Sequence, residues 1–316
     1  MIRLDPASVL LQWAVGGLFF GWVTTRRRDV GVGYGWLIRA TYLVLAAGSV
    51  ALGLALGPVV VRDVGGAGVV LATAVALGVS VVRRRAGVAG ERARQARRSA
   101  RVAAMTSAGG VGDMTGSAPP APDLAPGASG HQHDSGARTL SELRGSGPRG
   151  VAEFPPILDL VAPALGGVAL VAAGLAAGGN PLLAVLRTLV GAAFLGAVTD
   201  AMLLGHWYLV QPGLGRGPLL EQVRWLTALW PVEVGLLLVP TGMASVLSGT
   251  VDDGYNGLLG WFWLACALGT IVLCGVTRAA LRERYYSAVM AATGLLYLAI
   301  VTAFGTDLVA RAVLAP

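Results

Sequence analysis

The chain has 316 residues, of which 55% are hydrophobic and 13% are charged, and its mean hydropathy is +0.68. A soluble domain carries roughly 25% charged residues, so this composition excludes an ordinary soluble protein. The net charge of +7 comes from 24 basic residues, all of them arginine. No motif typical of nucleic-acid recognition accompanies these arginines, and we expect no nucleic-acid partner.

The N-terminal part, residues 1–82, contains three apolar blocks that are each long enough to cross the roughly 30 Å hydrocarbon core of a bilayer. These blocks predict membrane spans at 8–25, 36–61 and 68–82, with a short turn at 62–67. Runs of three arginines follow the first and the third block, at 26–28 and 83–85. Such runs are typical of the cytoplasmic ends of membrane spans.

Residues 83–150 have a different character and predict a cytoplasmic linker. The segment begins with a basic stretch and continues with a stretch rich in glycine, serine, proline and alanine, which is too polar to bury a core. We therefore expect a basic helix beside the membrane, followed by a disordered loop. Clustered arginines attract anionic lipid headgroups, and the candidate lipid-binding residues are Arg83, Arg84, Arg85, Arg92, Arg94, Arg97, Arg98 and Arg101.

The C-terminal part, residues 151–316, contains five further apolar blocks. They predict spans at 157–177, 183–210, 219–247, 258–276 and 287–306. The expected fold is therefore an all-α, polytopic bundle of about eight transmembrane helices, arranged as three spans, a linker and five spans.

The distribution of arginine predicts the orientation of this bundle. With both termini outside, 20 of the 24 arginines lie on the cytoplasmic side and four lie outside. Arginine is enriched in the cytoplasmic segments of membrane proteins. We therefore expect a multi-pass protein of the inner (cell) membrane with a cytoplasmic linker.

Spans five and six carry the candidate functional residues. Charged side chains inside a membrane segment are costly and usually functional, and the candidates in this pair of spans are four charged residues and one histidine: Asp200, His206, Glu221, Arg224 and Glu233. The span limits place Asp200 and Glu233 near the bilayer centre at similar depth. A buried acid and a histidine can both bind and release protons, so we expect a proton or solute pathway through these residues.

Several further expectations concern single residues. His206 is six positions after Asp200, so the two side chains do not share a helix face. Glu221 and Arg224 have the spacing of an ion pair within one helix. We expect Asp159 to interact favourably with a helix N-terminus, and Arg187 and Asp307 to lie near the outer surface, where a long arginine can extend into the headgroup region.

Familiar catalytic and cofactor motifs are missing from the sequence. It contains no phosphate-binding loop, no zinc-binding pattern and no nucleophile elbow, and we expect no cofactor and no metal. The favoured hypothesis is proton-linked or small-solute transport. The alternatives are a non-catalytic membrane subunit or assembly factor of a larger envelope or respiratory complex, with a membrane-protein partner, and an intramembrane enzyme acting on a lipid or quinone.

Overall fold

A computed structural model describes residues 5–109, 154–211, 214–239, 242–283 and 285–314, and all regular secondary structure in these ranges is helical. The chain divides into two units. Residues 83–154 form one, and the remaining described residues form the other, a helical bundle. The predicted disordered part of the linker falls largely on residues 110–153, outside the described ranges.

The bundle contains nine helices of α type in its described residues. They are α1 (Pro6–Thr25), α2 (Val32–Leu56), α3 (Val60–Val82), α5 (Val161–Ala176), α6 (Pro181–Val210), α7 (Gly217–Leu238), α8 (Met243–Leu247), α9 (Leu258–Ala280) and α10 (Tyr286–Val313), and a 3₁₀ helix (Pro156–Leu160) leads directly into α5. The other unit contains α4 (Arg84–Gly109).

Seven stretches are long and apolar enough to cross a membrane, as a multi-pass membrane protein requires. They are α1, α2, α3, the 3₁₀ helix with α5, α6, α9 and α10. Helix α7, which contains Glu221, Arg224 and Glu233, is not among them. An eighth span therefore remains a prediction.

Helices α1 and α6 form the centre of the bundle. About two-thirds of each is buried, against about one-third of every other spanning helix. The two helices cross where Gly16 faces Gly196: a β-carbon on Gly196 would lie 2.1 Å from the backbone carbon of Gly16. Only glycine allows two helix backbones to approach this closely. This close crossing brings the polar side chains of α1 and α6 into one interior.

We call the end of the bundle where α1 begins the Asp5 end, and the end where α1 finishes the Arg26 end. The prediction of a turn at 62–67 is wrong, because α3 begins at Val60 and includes these residues. Arg62 is buried and bonds Asp5, Asp63 and the carbonyl of Gly57. Hydropathy predicts a loop at Arg62 because the scale scores the arginine alone. It takes no account of the acids that neutralise its charge in the folded protein.

The predicted sixth span, 219–247, is interrupted. Helix α7 ends at Leu238, and the short helix α8 begins only at Met243. Pro240 lies in this gap, and proline cannot donate the backbone hydrogen bond that would continue a helix. A β-carbon on Gly242 would lie 2.0 Å from the carbonyl oxygen of Leu237, so Gly242 packs closely against the end of α7.

The connection between α8 and α9 is organised by Asp253. Its carboxylate accepts backbone N–H groups from Tyr255, Gly257, Leu259 and Gly260 at 2.8–3.3 Å. Burial by itself would raise the pKa of Asp253, but these donors outweigh it and lower the pKa below its usual value. The ionised carboxylate thereby stabilises the start of α9.

Candidate functional site

Asp200 on α6 is fully buried and faces α1 and α2. Its Oδ1 accepts a hydrogen bond from the Tyr42 hydroxyl at 2.7 Å. The Tyr34 hydroxyl lies 3.5 Å from the backbone oxygen of Asp200. The second carboxyl oxygen, Oδ2, has no hydrogen-bond partner among the described residues. We call Asp200, Tyr34 and Tyr42 the Asp200 cluster.

The tyrosines reach Asp200 because glycines on α1 leave room for them. A β-carbon on Gly17 would lie 1.9 Å from the Tyr42 ring, and one on Gly21 would lie 2.5 Å from Ile38. Gly17 and Gly21 are four residues apart and therefore on one face of α1. This face lets α2 pack closely, and both tyrosines are 0% exposed as a result.

Glu233 on α7 belongs to a second buried group, which lies toward the Asp5 end. Glu233 interacts electrostatically with Asp307, Arg311 and Arg187. The Arg311 guanidinium binds both oxygens of Asp307, at 2.7 and 2.8 Å. Both carboxyl oxygens of Glu233 lack a hydrogen-bond partner among the described residues. We call Glu233, Arg187, Asp307, Arg311 and Gln12 the Glu233 cluster; each is at most 5% exposed.

Two members of the Glu233 cluster connect it to the backbone. Arg187 donates to the carbonyls of Leu236 and Val239 at 2.8 and 2.7 Å, which would otherwise be unsatisfied at the end of α7. Gln12 donates to the carbonyl of Thr188 at 2.6 Å, while its own side-chain oxygen has no partner in the described structure. The cluster therefore holds α1, α6, α7 and α10 together.

The two clusters lie at different depths, which differs from the expectation of similar depth for the two acids. Gly191 on α6 faces Asp307 and Arg311, and it precedes Asp200 by nine residues, or about 13 Å along the helix. Between these levels, α6 presents Phe194, Leu195 and Val198, all fully buried. These residues lie on the Gly191 side of α6, opposite Asp200. Together with the α6 backbone they form an apolar layer between the levels of the two clusters.

His206 lies apart from both clusters. Its side chain is exposed, and its Nδ1 is 3.1 Å from the Tyr297 hydroxyl of α10. Asp200 points toward α1 and α2, so the two side chains leave α6 in different directions, as their spacing predicts. The structure does not bring His206 together with either buried acid.

Glu221 and Arg224 also lie away from the clusters, at the Arg26 end. Glu221 bonds Arg26 at 2.7 Å and Arg27 at 3.1 Å, so it joins α7 to the end of α1 instead of pairing with Arg224 along its own helix. Arg224 is exposed. Both residues therefore lie at the surface of the bundle. Their neighbour Gln222, by contrast, is fully buried and donates a hydrogen bond to Thr24.

Asp159 lies at the same end, in the 3₁₀ helix. Its carboxylate pairs with Arg39 of α2 through two bonds of 2.7 Å. Arg39 also donates to Ser80 of α3 at 3.3 Å. The sequence placed Asp159 correctly near a helix start, but its partner is an arginine 120 positions away, which the local pattern cannot indicate.

A groove of about 400 Å³ lies between α1, α5 and α6. Every residue that lines it is apolar, including Phe19, Pro163, Leu170 and Leu189. The groove offers no hydrogen bond or charge to a polar solute. The acids that could bind a proton lie elsewhere, within the two clusters.

Several interior polar residues were not among the sequence candidates. Gln12 and Gln222 are polar residues in otherwise apolar segments, a signal that was available but was weaker than a charge. Tyr34 does not stand out, because buried aromatic residues are common in membrane helices. The expectation that Arg187 and Asp307 lie near the outer surface is wrong, since both are buried. The end of α10 resembles a membrane interface in sequence, and only the packing, which pairs Asp307 with Arg311, shows it to be interior.

Comparison with protein-family models, with curated proteins and with solved structures gives no match to this chain. The function must therefore be argued from the site itself.

Proposed function

We propose that this integral membrane protein moves protons, alone or coupled to a small solute, through its interior by way of Asp200 and Glu233. The observation that carries the proposal is the pair of fully buried acids with unpartnered carboxyl oxygens. A fully buried carboxyl group is costly to retain in a membrane segment, whether it has no arginine beside it, as in Asp200, or shares two arginines with a second acid, as in Glu233. A proton-binding role accounts for that cost better than helix association, because interhelical hydrogen bonds in membranes average only about 0.6 kcal/mol.

The layer between the clusters supports a carrier and argues against an open pore. Phe194, Leu195 and Val198 would interrupt any continuous line of water between the two acids. Proton transfer between them then requires a rearrangement that hydrates this layer. In this scheme Glu233 is loaded from the Asp5 end and Asp200 exchanges with the Arg26 end.

The arginine distribution suggests the direction of this path. With 20 of 24 arginines on the cytoplasmic side, the Asp5 end faces outward and the Arg26 end faces the cytoplasm. Glu233 would then be the outer proton site and Asp200 the inner one. Glu221, with Arg26 and Arg27, would lie at the cytoplasmic surface.

The test is proton flux into liposomes that contain the purified protein and a trapped pH-sensitive dye. A potassium diffusion potential supplies the driving force. We expect Asp200→Asn and Glu233→Gln each to reduce flux to the level of protein-free liposomes, because an amide of the same shape cannot carry the proton. The matched control is Glu283→Gln, which changes an exposed acid at the Arg26 end and should leave the flux unchanged.

The proposal is wrong if both variants fold and conduct like the original protein. It is also wrong if the unmodified protein shows no proton flux with or without candidate solutes on one side. A flux lost only in Asp200→Asn would confine the pathway to the inner cluster.

A second candidate function is that of a membrane subunit or assembly factor acting through α4. The observation that favours it is the set of exposed arginines on α4, which include Arg84, Arg85, Arg92 and Arg97, next to a long linker. These arginines, with Arg83, Arg94, Arg98 and Arg101 of the same segment, would bind anionic lipid or a partner protein. In the liposome assay, deleting residues 86–150 should leave proton flux intact if the first proposal holds.

A further inference from the structure

We infer that Asp200 exchanges protons with the Arg26 end through a bound water molecule held between Thr25 and the Arg39–Asp159 ion pair. The inference rests on the proposed function and names the inner leg of the pathway. It assigns a role to Asp159, Arg39 and Thr25 and none to His206.

The first observation is a small cavity at the Arg26 end, with about 10 Å³ of room for water. This is close to the minimum that holds one water molecule. The polar side chains that line the cavity are those of Thr25, Arg39 and Asp159. They supply a hydroxyl, a donor and an acceptor, and a buried water needs two to four such partners.

The second observation is the position of the unpartnered oxygen of Asp200. A β-carbon on Gly21 would lie 3.6 Å from Oδ2 of Asp200, and Gly21 itself lines the cavity. Because Gly21 has no side chain, only the methyl end of Ile38 lies beside it, at 2.5 Å from the same β-carbon position. The free oxygen of a fully buried acid therefore lies just behind the wall of this cavity, where Gly21 and the Ile38 methyl group form the wall.

The cavity is also connected toward the surface. Side-chain exposure is 10% for Asp159 and 7% for Arg39, whereas Asp200 is 0% exposed. Asp159 lies in the 3₁₀ helix that leads into the bundle. Polarity and exposure thus increase from Asp200 through the cavity to the ion pair.

The proposed transfer is a set of proton hops without any other bond change. A proton from solvent reaches the water in the cavity. When a change of rotamer moves the Ile38 methyl group aside, that water gives one of its own protons to the ionised Asp200 carboxylate. The water is left as it began. In the opposite direction Asp200 returns the proton to the water, and Tyr42 continues to donate to Oδ1 throughout. The Arg39–Asp159 pair holds the water in place.

The alternative inner route would use Thr24 and Gln222. Gln222 donates to the Thr24 hydroxyl and has an unpartnered side-chain oxygen. This side of α1, however, lines neither the small cavity nor the apolar groove. We therefore favour the route past Gly21, and the two adjacent threonines provide a way to compare the routes.

The experiment measures hydrogen–deuterium exchange at the Asp200 carboxyl by infrared spectroscopy of the full-length protein in liposomes transferred to D₂O. The carboxylic acid band is assigned to Asp200 by its loss in Asp200→Asn. We expect Thr25→Val to slow the exchange by about tenfold, the effect of losing roughly one hydrogen bond to the transferring water. The Thr25 hydroxyl otherwise bonds only Gly21 of its own helix, at 2.9 Å, so the variant should fold.

The matched control is Thr227→Val, which alters a half-buried threonine of α7 whose hydroxyl, like that of Thr25, donates to the carbonyl four residues earlier. Its exchange rate should equal that of the original protein. Asp159→Asn is the second test variant and should also slow exchange. Unchanged exchange in both Thr25→Val and Asp159→Asn would overturn the inference, as would a slow rate in Thr24→Val with a normal rate in Thr25→Val.

This readout separates the two proposals. If the protein carries no proton flux but Thr25→Val still slows exchange at Asp200, the water site is real and the transport proposal is wrong. If flux depends on Asp200 but exchange is indifferent to Thr25 and Asp159, transport stands and the inner leg lies elsewhere.

Discussion

The two buried acids of this protein are accommodated in different ways. The Asp200 carboxyl group accepts a hydrogen bond from the Tyr42 hydroxyl, and the Tyr34 hydroxyl approaches its backbone oxygen. No arginine contacts this carboxyl group in the described structure. Glu233 lies beside a second acid, Asp307, and two arginines, Arg187 and Arg311. Arg311 is joined to Asp307 by two hydrogen bonds. Asp200 is thus a single titrating group, whereas Glu233 is part of a charge-balanced network.

This difference predicts that the two clusters respond differently when a proton is gained or lost. A hydroxyl can bond a carboxyl group in either protonation state, because it both donates and accepts. The Asp200 cluster can therefore gain or lose a proton without repacking. In the Glu233 cluster a change in one charge alters the balance of the other three, so loading a proton there is coupled to the contacts that hold α1, α6, α7 and α10 together. Such coupling is what a carrier requires.

The largest effect is expected from Arg311→Met, which leaves Asp307 buried without its partner. Breaking a buried ion pair on one side costs about 3–5 kcal/mol. The midpoint of thermal unfolding in detergent should fall markedly, while Arg278→Met, at an exposed arginine of α9, should unfold like the original protein. If Arg311→Met is as stable as the Arg278 variant, the Glu233 cluster is not the charge-balanced network described above.

The next effect is expected from Gly196→Ala, which acts on both clusters at once. The added methyl group would meet the backbone of Gly16, which cannot rotate away, so α1 and α6 must separate. Overpacking of this kind typically costs about 1–3 kcal/mol. Thermal unfolding measures the loss, and Gly235→Ala, where no atom lies within 4 Å of the added carbon, is the control. Equal stability of the two variants would mean that the close crossing is not what holds the clusters in place.

The smallest effect on stability is expected from Tyr42→Phe, which removes one hydrogen bond from Asp200. The loss should be about 1 kcal/mol, much less than in Arg311→Met, because no buried charge loses its counter-ion. Unfolding in detergent gives the stability, and the infrared band of Asp200 should shift as the bond is lost. A loss as large as that of Arg311→Met would remove the contrast between the two clusters.

Much of the fold could be predicted from the sequence, because the bilayer demands long apolar helices and these are visible as blocks. The first span, the spans that form α6, α9 and α10, and the helix start at Pro156 all follow from hydropathy and proline positions. The turn at 62–67 was wrong because Arg62 was judged by its charge alone. The break after Leu238 was missed because 219–247 remains apolar on both sides of it.

The candidate site shows the same limit. The acids Asp200 and Glu233 were identifiable from the sequence, since a charge inside an apolar helix is conspicuous. Their partners were not, because Tyr42, Arg187, Asp307 and Arg311 come from distant parts of the chain. His206 was chosen for its chemistry, and the structure places it on the outside beside Tyr297.

By itself, then, the sequence determined that the chain is a bundle of membrane-spanning helices with acids inside it. Burying polar groups in lipid is costly, so the spans are visible as apolar blocks and the acids stand out within them. Only the tertiary structure decided that these acids form two separate clusters with an apolar layer between them. That arrangement depends on where α1 crosses α6, at Gly16 and Gly196, and on which helix faces meet, and neither is encoded in the periodicity of a single helix.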